Sequence, residues 1–208
     1  MYINNYITSY STISNNVIYK NEVPIFEERG VDLPALLLAA YQHFELNYPK
    51  FYKMDNLSKL GWMASEVLLK DSAIKDYQPE EIGLVLSNAN SSLDSDQKYM
   101  KSVNDIPSPA LFVYTLPNIM IGEMCIRNNF KGEDAFFIFE NFDADFIQLY
   151  VDNLMNTNAL KACICGWVDV IGDHYKAVLF LVEKQEKEIA IPFTKKNLDS
   201  IFDNLIID

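Results

Sequence analysis

Three short, almost uninterrupted apolar runs constrain this chain most: residues 82–86 (IGLVL), 160–168 (LKACICGWV) and 177–182 (AVLFLV). Each is shorter than an ordinary helix and has no polar face, so each reads as a strand buried on both sides. Between them lie segments of helical period. Leu57, Leu60, Met63, Ala64, Val67 and Leu68 follow a candidate cap at Asp55, and Phe146, Ile147, Tyr150, Val151 and Leu154 follow one at Asp143. Strands alternating with crossover helices predict an α/β layered fold with helices flanking a mainly parallel mixed sheet.

The remaining segments extend this pattern. Residues 2–13, rich in Tyr, Ile and Thr, read as a first strand ending at Asn15-Asn16, and a linker follows. Asp32 caps a predicted helix over 33–44 with Pro34 in its first turn. Residues 87–96 read as a polar loop, and Pro107 and Pro109 are expected to keep the next stretch extended. Pro117 suits the start of a helix over 119–126 that stops near Gly132, and 135–139 reads as another strand. A hairpin-like pair is expected from 177–182 and 188–193, with Thr194 capping a closing helix. No internal repeat appears, so the whole chain, 1–208, is expected to form one domain.

Charge and composition remove several classes of function. A net charge of −12 repels phosphate backbones, which argues against a nucleic-acid partner. No apolar run approaches the roughly 18–20 residues of a membrane span, and the start lacks the pattern of a signal peptide, so a cytoplasmic protein without a membrane partner is expected. Cys125, Cys163 and Cys165 sit in apolar segments and read as reduced core thiols rather than as a disulfide framework or replacement nucleophiles. The Cys163-Ile-Cys165 spacing lacks the second ligand pair of a zinc site, and neither a metal nor a cofactor is implied.

Several segments, taken in order, resemble landmarks of the β-ketoacyl synthase amino-terminal domain, of the thiolase-like superfamily. KFYKMDNLSKLGWMASEVLL at 50–69 resembles the family's Lys-Met-Asp-x-x-Ser helix, and EIGLVLSNANSS resembles the next strand with its small-residue loop. SPALFVYTLPNIMIGEMCIRNNFKG at 108–132 resembles the Ser-Pro, Phe, Leu-Pro-Asn and Gly-Glu landmarks that lead to the nucleophile strand. ACICGWVDV and AVLFLVEKQ resemble later strands. The resemblance covers nearly the whole chain and implies the amino-terminal half of a condensing enzyme, in a short form.

In that family a cysteine stands at the end of the nucleophile strand, where a helix amino terminus lowers its pKa. Counting from Gly132 and from Gly166 places the corresponding position at Asn141, or at Phe142 with a slip of one residue. Neither carries a thiol, so the usual covalent transacylation is lost. The histidines implied for decarboxylation have no counterpart either, since His43 and His174 read as structural or surface residues. Glu140, Asp143 and Asp145 near the turn read as cap and helix-dipole acids.

The resemblance therefore implies a pseudoenzyme without catalytic residues. Ser87, Asn88 and Asn90 are its candidate binding residues, and Phe136, Phe137 and Phe139 its candidate interface. The implied role is a dimerisation partner, or a subunit like a chain length factor, in fatty-acid, polyketide or aryl-polyene-type biosynthesis. It would pair with itself or with a full-length ketoacyl synthase around an acyl chain. The alternatives are half of a split 3-oxoacyl-carrier synthase, active only with a partner chain, and a free-standing acyl- or lipid-binding module. Acyl carrier proteins are acidic, so direct docking on a chain of this charge is disfavoured unless Lys50, Lys53, Lys59 and Arg127 cluster.

Overall fold

The first strand is polar for a central position, and its partners explain why. In the computed structural model, which describes residues 5–104, 106–184 and 190–203, β1 (Tyr6–Ser14) is almost wholly buried. Ser9 and Ser11 donate from their hydroxyls to the carbonyls of Leu68 (3.2 Å) and Ala64 (2.8 Å) on α2 (Asn56–Leu69), so small side chains let the helix lie close to the strand. Residues 2–4 of the predicted strand lie outside the described residues.

Asn15-Asn16 ends β1, as expected, but no linker follows. Both residues have positive φ (49° and 63°), the conformation of a two-residue hairpin turn, and the chain returns as β2 (Val17–Lys20) and again as β3 (Val23–Glu27). The sequence reading missed these strands because Pro24 and the scattered polar residues break their alternation.

The helices form where their caps predict. Asp32, Asp55 and Asp143 each accept a backbone N–H, from Ala35, Ser58 and Phe146 at 2.9 Å, opening α1 (Leu33–His43), α2 and α6 (Ala144–Asn156). The expected loop at 87–96 instead ends within α3 (Leu93–Val103). The stretch after it is not all extended, because Pro109 takes a first-turn position of the short α4 (Pro109–Val113), where its missing N–H costs nothing. Next, α5 (Ile119–Asn128) stops at Asn129, whose φ of 58° supplies the left-handed cap expected nearer Gly132. Thr194 accepts from Asn197 N–H and opens α7 (Lys195–Asp203).

The eight strands form one mixed sheet in the order β3-β2-β1-β7-β6-β4-β5, completed by β4 (Ile82–Asn88), β5 (Asp134–Ile138), β6 (Ala162–Ile171), β7 (His174–Glu183) and β8 (Ile191–Pro192) beside β1. Helices cover both faces, so the α/β layered class holds. The expectation of a mainly parallel sheet does not: among the described residues only the β4–β5 and β4–β6 pairs are parallel. The reason is local, since β6 turns directly into β7 across Gly172-Asp173, and β1 also runs antiparallel to β7. With both edges of β7 thus occupied, the predicted hairpin of 177–182 with 188–193 does not form. Ile191–Pro192 pairs instead with Tyr6 and Ile7 of β1, and residues 185–189 lie outside the described residues.

Two apolar cores result. One lies between the sheet and α1, α2 and α5, around Trp62, Met63, Leu84 and Leu86. The other lies between the sheet and α6 and α7, around Ile147, Val151, Cys163, Cys165 and Phe180.

Candidate functional site

Parallel pairing of β4 with β5 brings the ends of both strands to one edge of the sheet, the end at which open α/β sheets bind ligands. There Phe139 N–H donates to the Asn88 carbonyl (2.9 Å), joining the turn after β5 to the loop after β4. Asn141 and Phe142 occupy that turn, just before the Asp143 cap of α6.

The two positions differ in environment. Asn141 is exposed, whereas Phe142 is half-buried and its ring centroid lies 4.5 Å from that of Phe202, 6.3 Å from Phe180 and 6.4 Å from Trp167. A phenyl ring thus fills the space beneath the turn. Glu140, Asp143 and Asp145 are all exposed around it; Asp143 caps the helix, and Asp145 lies in the first helical turn, where the dipole favours an acid.

The thiols lie elsewhere. Cys163 and Cys165 are fully buried in the α6 core, and burial pushes both thiols far above the ordinary value. Cys125, on α5, is raised to about 11 by burial and, secondarily, by Asp134. All three are therefore poor nucleophiles near neutral pH. His43 is exposed against Phe26 and Phe44, and His174 is exposed as the first residue of β7 rather than in the turn before it.

The candidate binding residues Ser87, Asn88 and Asn90 are each hydrogen-bonded within the fold. Buried Ser87 donates to the Gly166 carbonyl (3.2 Å), and Asn88 exchanges two 2.9 Å bonds with the backbone of Ser91. Asn90 donates from Nδ2 to Asp169 (2.7 Å), which also accepts from the Ala89 and Asn90 N–H groups at 3.2 and 2.9 Å. Asp169 organises this loop and was missed, although a carboxylate in the apolar ACICGWVDV run was a visible signal. It also lines a cavity of about 310 Å³ with Trp167, Tyr175 and Lys176. The Lys176 ammonium donates to the Phe202 carbonyl (2.7 Å), and burial lowers its pKa.

The interface residues divide between the faces of β5. Phe136 packs towards the α2–α5 core. Phe137 and Phe139 stack at 5.9 Å and meet Phe146 of α6 at 4.8 and 5.0 Å. Helices of the same chain thus cover both faces, and what stays open is the strand's outer edge: β5 ends the sheet, with Ile138 49% exposed. Two of the four basic residues, Lys50 and Arg127, are paired with carboxylates. Lys50 lies 2.8 Å from Glu123, and Arg127 binds both carboxylate oxygens of Glu66 at 2.9 and 3.0 Å.

Solved structures share this architecture. The chain aligns with the ishigamide ketosynthase/chain length factor at TM-score 0.65 and 17% identity, over 91% of this chain and 64% of that one. The chain has the ketosynthase fold. It also aligns at TM-score 0.59 and 12% identity with a ketosynthase in complex with its chain length factor from Xenorhabdus doucetiae, over 99% of this chain and 92% of that one. A β-ketoacyl synthase from Burkholderia phymatum aligns at TM-score 0.59 and 10% identity, over 88% of this chain and 59% of that one. The chain thus spans less than two thirds of the length of the first of these neighbours. No protein-family model and no curated protein matches the sequence. No helix among the described residues is long and apolar enough to cross a membrane.

Proposed function

We propose that this chain is a non-catalytic subunit with the ketosynthase fold that pairs edge to edge, through β5, with another copy or with an active ketosynthase of fatty-acid, polyketide or aryl-polyene-type biosynthesis in the cytoplasm. Its role is that of a chain length factor: it completes a dimer and shapes the space for an acyl chain. The observation that carries this reading is the position of β5 at the end of the sheet: among the described residues no strand pairs with its outer edge, which lies beside half-buried phenylalanines. Pairing between ketosynthases and chain length factors among its structural neighbours supports the same reading.

The turn after β5 supports the non-catalytic part. Its carboxamide at Asn141 has no thiol chemistry, and Phe142 occupies the space below it. Direct docking of an acidic carrier protein is left to the partner, because the net charge of −12 opposes it and Lys50 and Arg127 already face carboxylates.

The test is native mass spectrometry of the pure chain alone and mixed with a full-length ketosynthase. A homodimer or a one-to-one complex is expected. A monomer at every ratio and concentration overturns the proposal, and malonyl-carrier decarboxylation that needs both chains and is lost on changing Ser87 or Asn90 replaces it with the split-synthase reading.

A further inference from the structure

At the other end of the sheet, beside Pro79 and Ile82 where β4 begins, lies a cleft of about 1000 Å³, at the top of the roughly 300–1,000 Å³ usual for small-molecule sites. Five segments wall it: β3, the end of α1, the last turns of α2 and α5, and the approach to β4. Its lining is mixed, and the apolar part consists of the buried side chains of Val67, Ile74, Ile82 and Phe130 with half-buried Phe44 and Leu46.

The rim carries charge of the sign opposite to the protein's. Lys70 and Lys75 are exposed on it, and the Lys20 ammonium donates to the Lys70 carbonyl beside them. Two acids line the cleft. Glu66 is matched by Arg127, which leaves Asp71 against the two lining lysines, Lys70 and Lys75. A small excess of positive charge among the lining residues, on a chain of net charge −12 and beside the apolar side chains of Val67, Ile74, Ile82 and Phe130, suits a ligand with an anionic head and a hydrocarbon body.

We propose that this cleft binds a single-chain amphiphilic carboxylate, with its head at Lys70 and Lys75 and its chain along Val67, Ile74, Ile82 and Phe130. The site is separate from the turn at Asn141 and does not depend on the pairing of β5.

The test uses the full chain with dodecanoate, dodecanol and dodecyltrimethylammonium, each below its micelle concentration, in equilibrium dialysis. A diazirine-bearing dodecanoate locates the site by photo-crosslinking and peptide mapping. One dodecanoate per chain is expected, with the alcohol and the cationic amphiphile at least roughly tenfold weaker. Labels should fall within 66–82 or 127–130. The exposed double variant Lys70→Glu/Lys75→Glu, and Lys75→Glu alone, should unfold at the native temperature, and the double variant should lose roughly tenfold in affinity for dodecanoate. Equal binding of all three amphiphiles, labels confined to 93–116 or 136–150, an unaffected double variant, or no binding of dodecanoate overturns the proposal.

Discussion

The ring of Phe142 lies nearly parallel to that of Phe202, with centroids 4.5 Å apart and an interplanar angle of 17°, so the turn that opens α6 is fastened to α7 by an aromatic stack. Asn141, one residue earlier, faces solvent. The two positions should therefore respond differently to truncation. Phe142→Ala is expected to cost roughly 2–4 kcal/mol, at or below the usual range for a buried phenylalanine because the ring is half-exposed, whereas Asn141→Ala should stay within about 0.5 kcal/mol. Urea denaturation with unchanged slope checks both.

Asp169 holds the β4–α3 loop through three donors, two of them backbone N–H groups. Removing the carboxylate leaves those donors without their acceptor. Asp169→Ala is expected to destabilise the chain by about 2–3 kcal/mol, the scale of bonds to a charged acceptor. Hydrogen exchange should quicken at Ala89 and Asn90 before it does in β4.

Which features the sequence revealed follows from what its patterns encode. Asp32, Asp55 and Asp143 each precede an apolar stripe, so cap and helix were read together and formed as read. The runs that became β4, β6 and β7 were legible because their burial on both faces leaves no alternation. Strand direction was not legible, since an apolar run is silent about its neighbours; the two-residue Gly172-Asp173 turn decides it for β6 and β7. Helix α3 was hidden for the opposite reason. Its sequence, LDSDQKYMKSV, offers no apolar stripe, and its two buried residues are Asp94 and Ser95, the latter donating to Asp55 at 2.5 Å. At the turn after β5, the carboxamide of Asn141 was visible in the sequence, but the engagement of Ser87, Asn88 and Asn90 by the fold was not, because their partners lie in β6 and within the loop itself.

The cysteines give a prediction in pH. A thiol whose folded pKa is raised to about 11 keeps its proton after the unfolded thiol has lost its own, so Cys125 contributes stability below the ordinary value of 9.0 that is lost as pH rises towards 11. Alkylation by iodoacetamide should reveal it. In the folded protein Cys125 should react slowly at pH 8, with a rate rising about tenfold per pH unit to pH 10. Cys163 and Cys165 should react only after denaturation; reaction of either at the rate of Cys125 in native conditions would contradict their burial.

Gly166 is the one glycine in β6, with φ of 143°, where a Cβ would overlap the Val178 carbonyl oxygen of the neighbouring strand. Both backbone strain and overpacking oppose a side chain here. Gly166→Ala is expected to cost about 2–5 kcal/mol, enough to lower the thermal midpoint by many degrees. Gly172→Ala, where no atom approaches a Cβ, should bear only the cost of its positive φ of 58° and lie near the low end, about 1 kcal/mol. Calorimetry of the two variants separates strain from overlap.

The proposed pairing through β5 makes Ile138 the most informative surface residue. Its side chain is 49% exposed at the end of the edge strand, on the face opposite the Phe137–Phe139 stack, so it contributes little to the fold of the isolated chain. Ile138→Arg should therefore change the unfolding free energy by less than about 1 kcal/mol. In an edge-to-edge dimer the same substitution places a charge beside the joined strands, where desolvation opposes it, and the dissociation constant should rise by at least roughly tenfold. Phe137→Ala is the necessary contrast. Its ring packs on Phe146 and Tyr150 within the chain, so it should weaken the monomer and the pairing together. Sedimentation velocity over a range of concentrations, read beside urea denaturation of each variant, distinguishes the two: a self-association that survives Ile138→Arg unchanged would remove β5 from the interface.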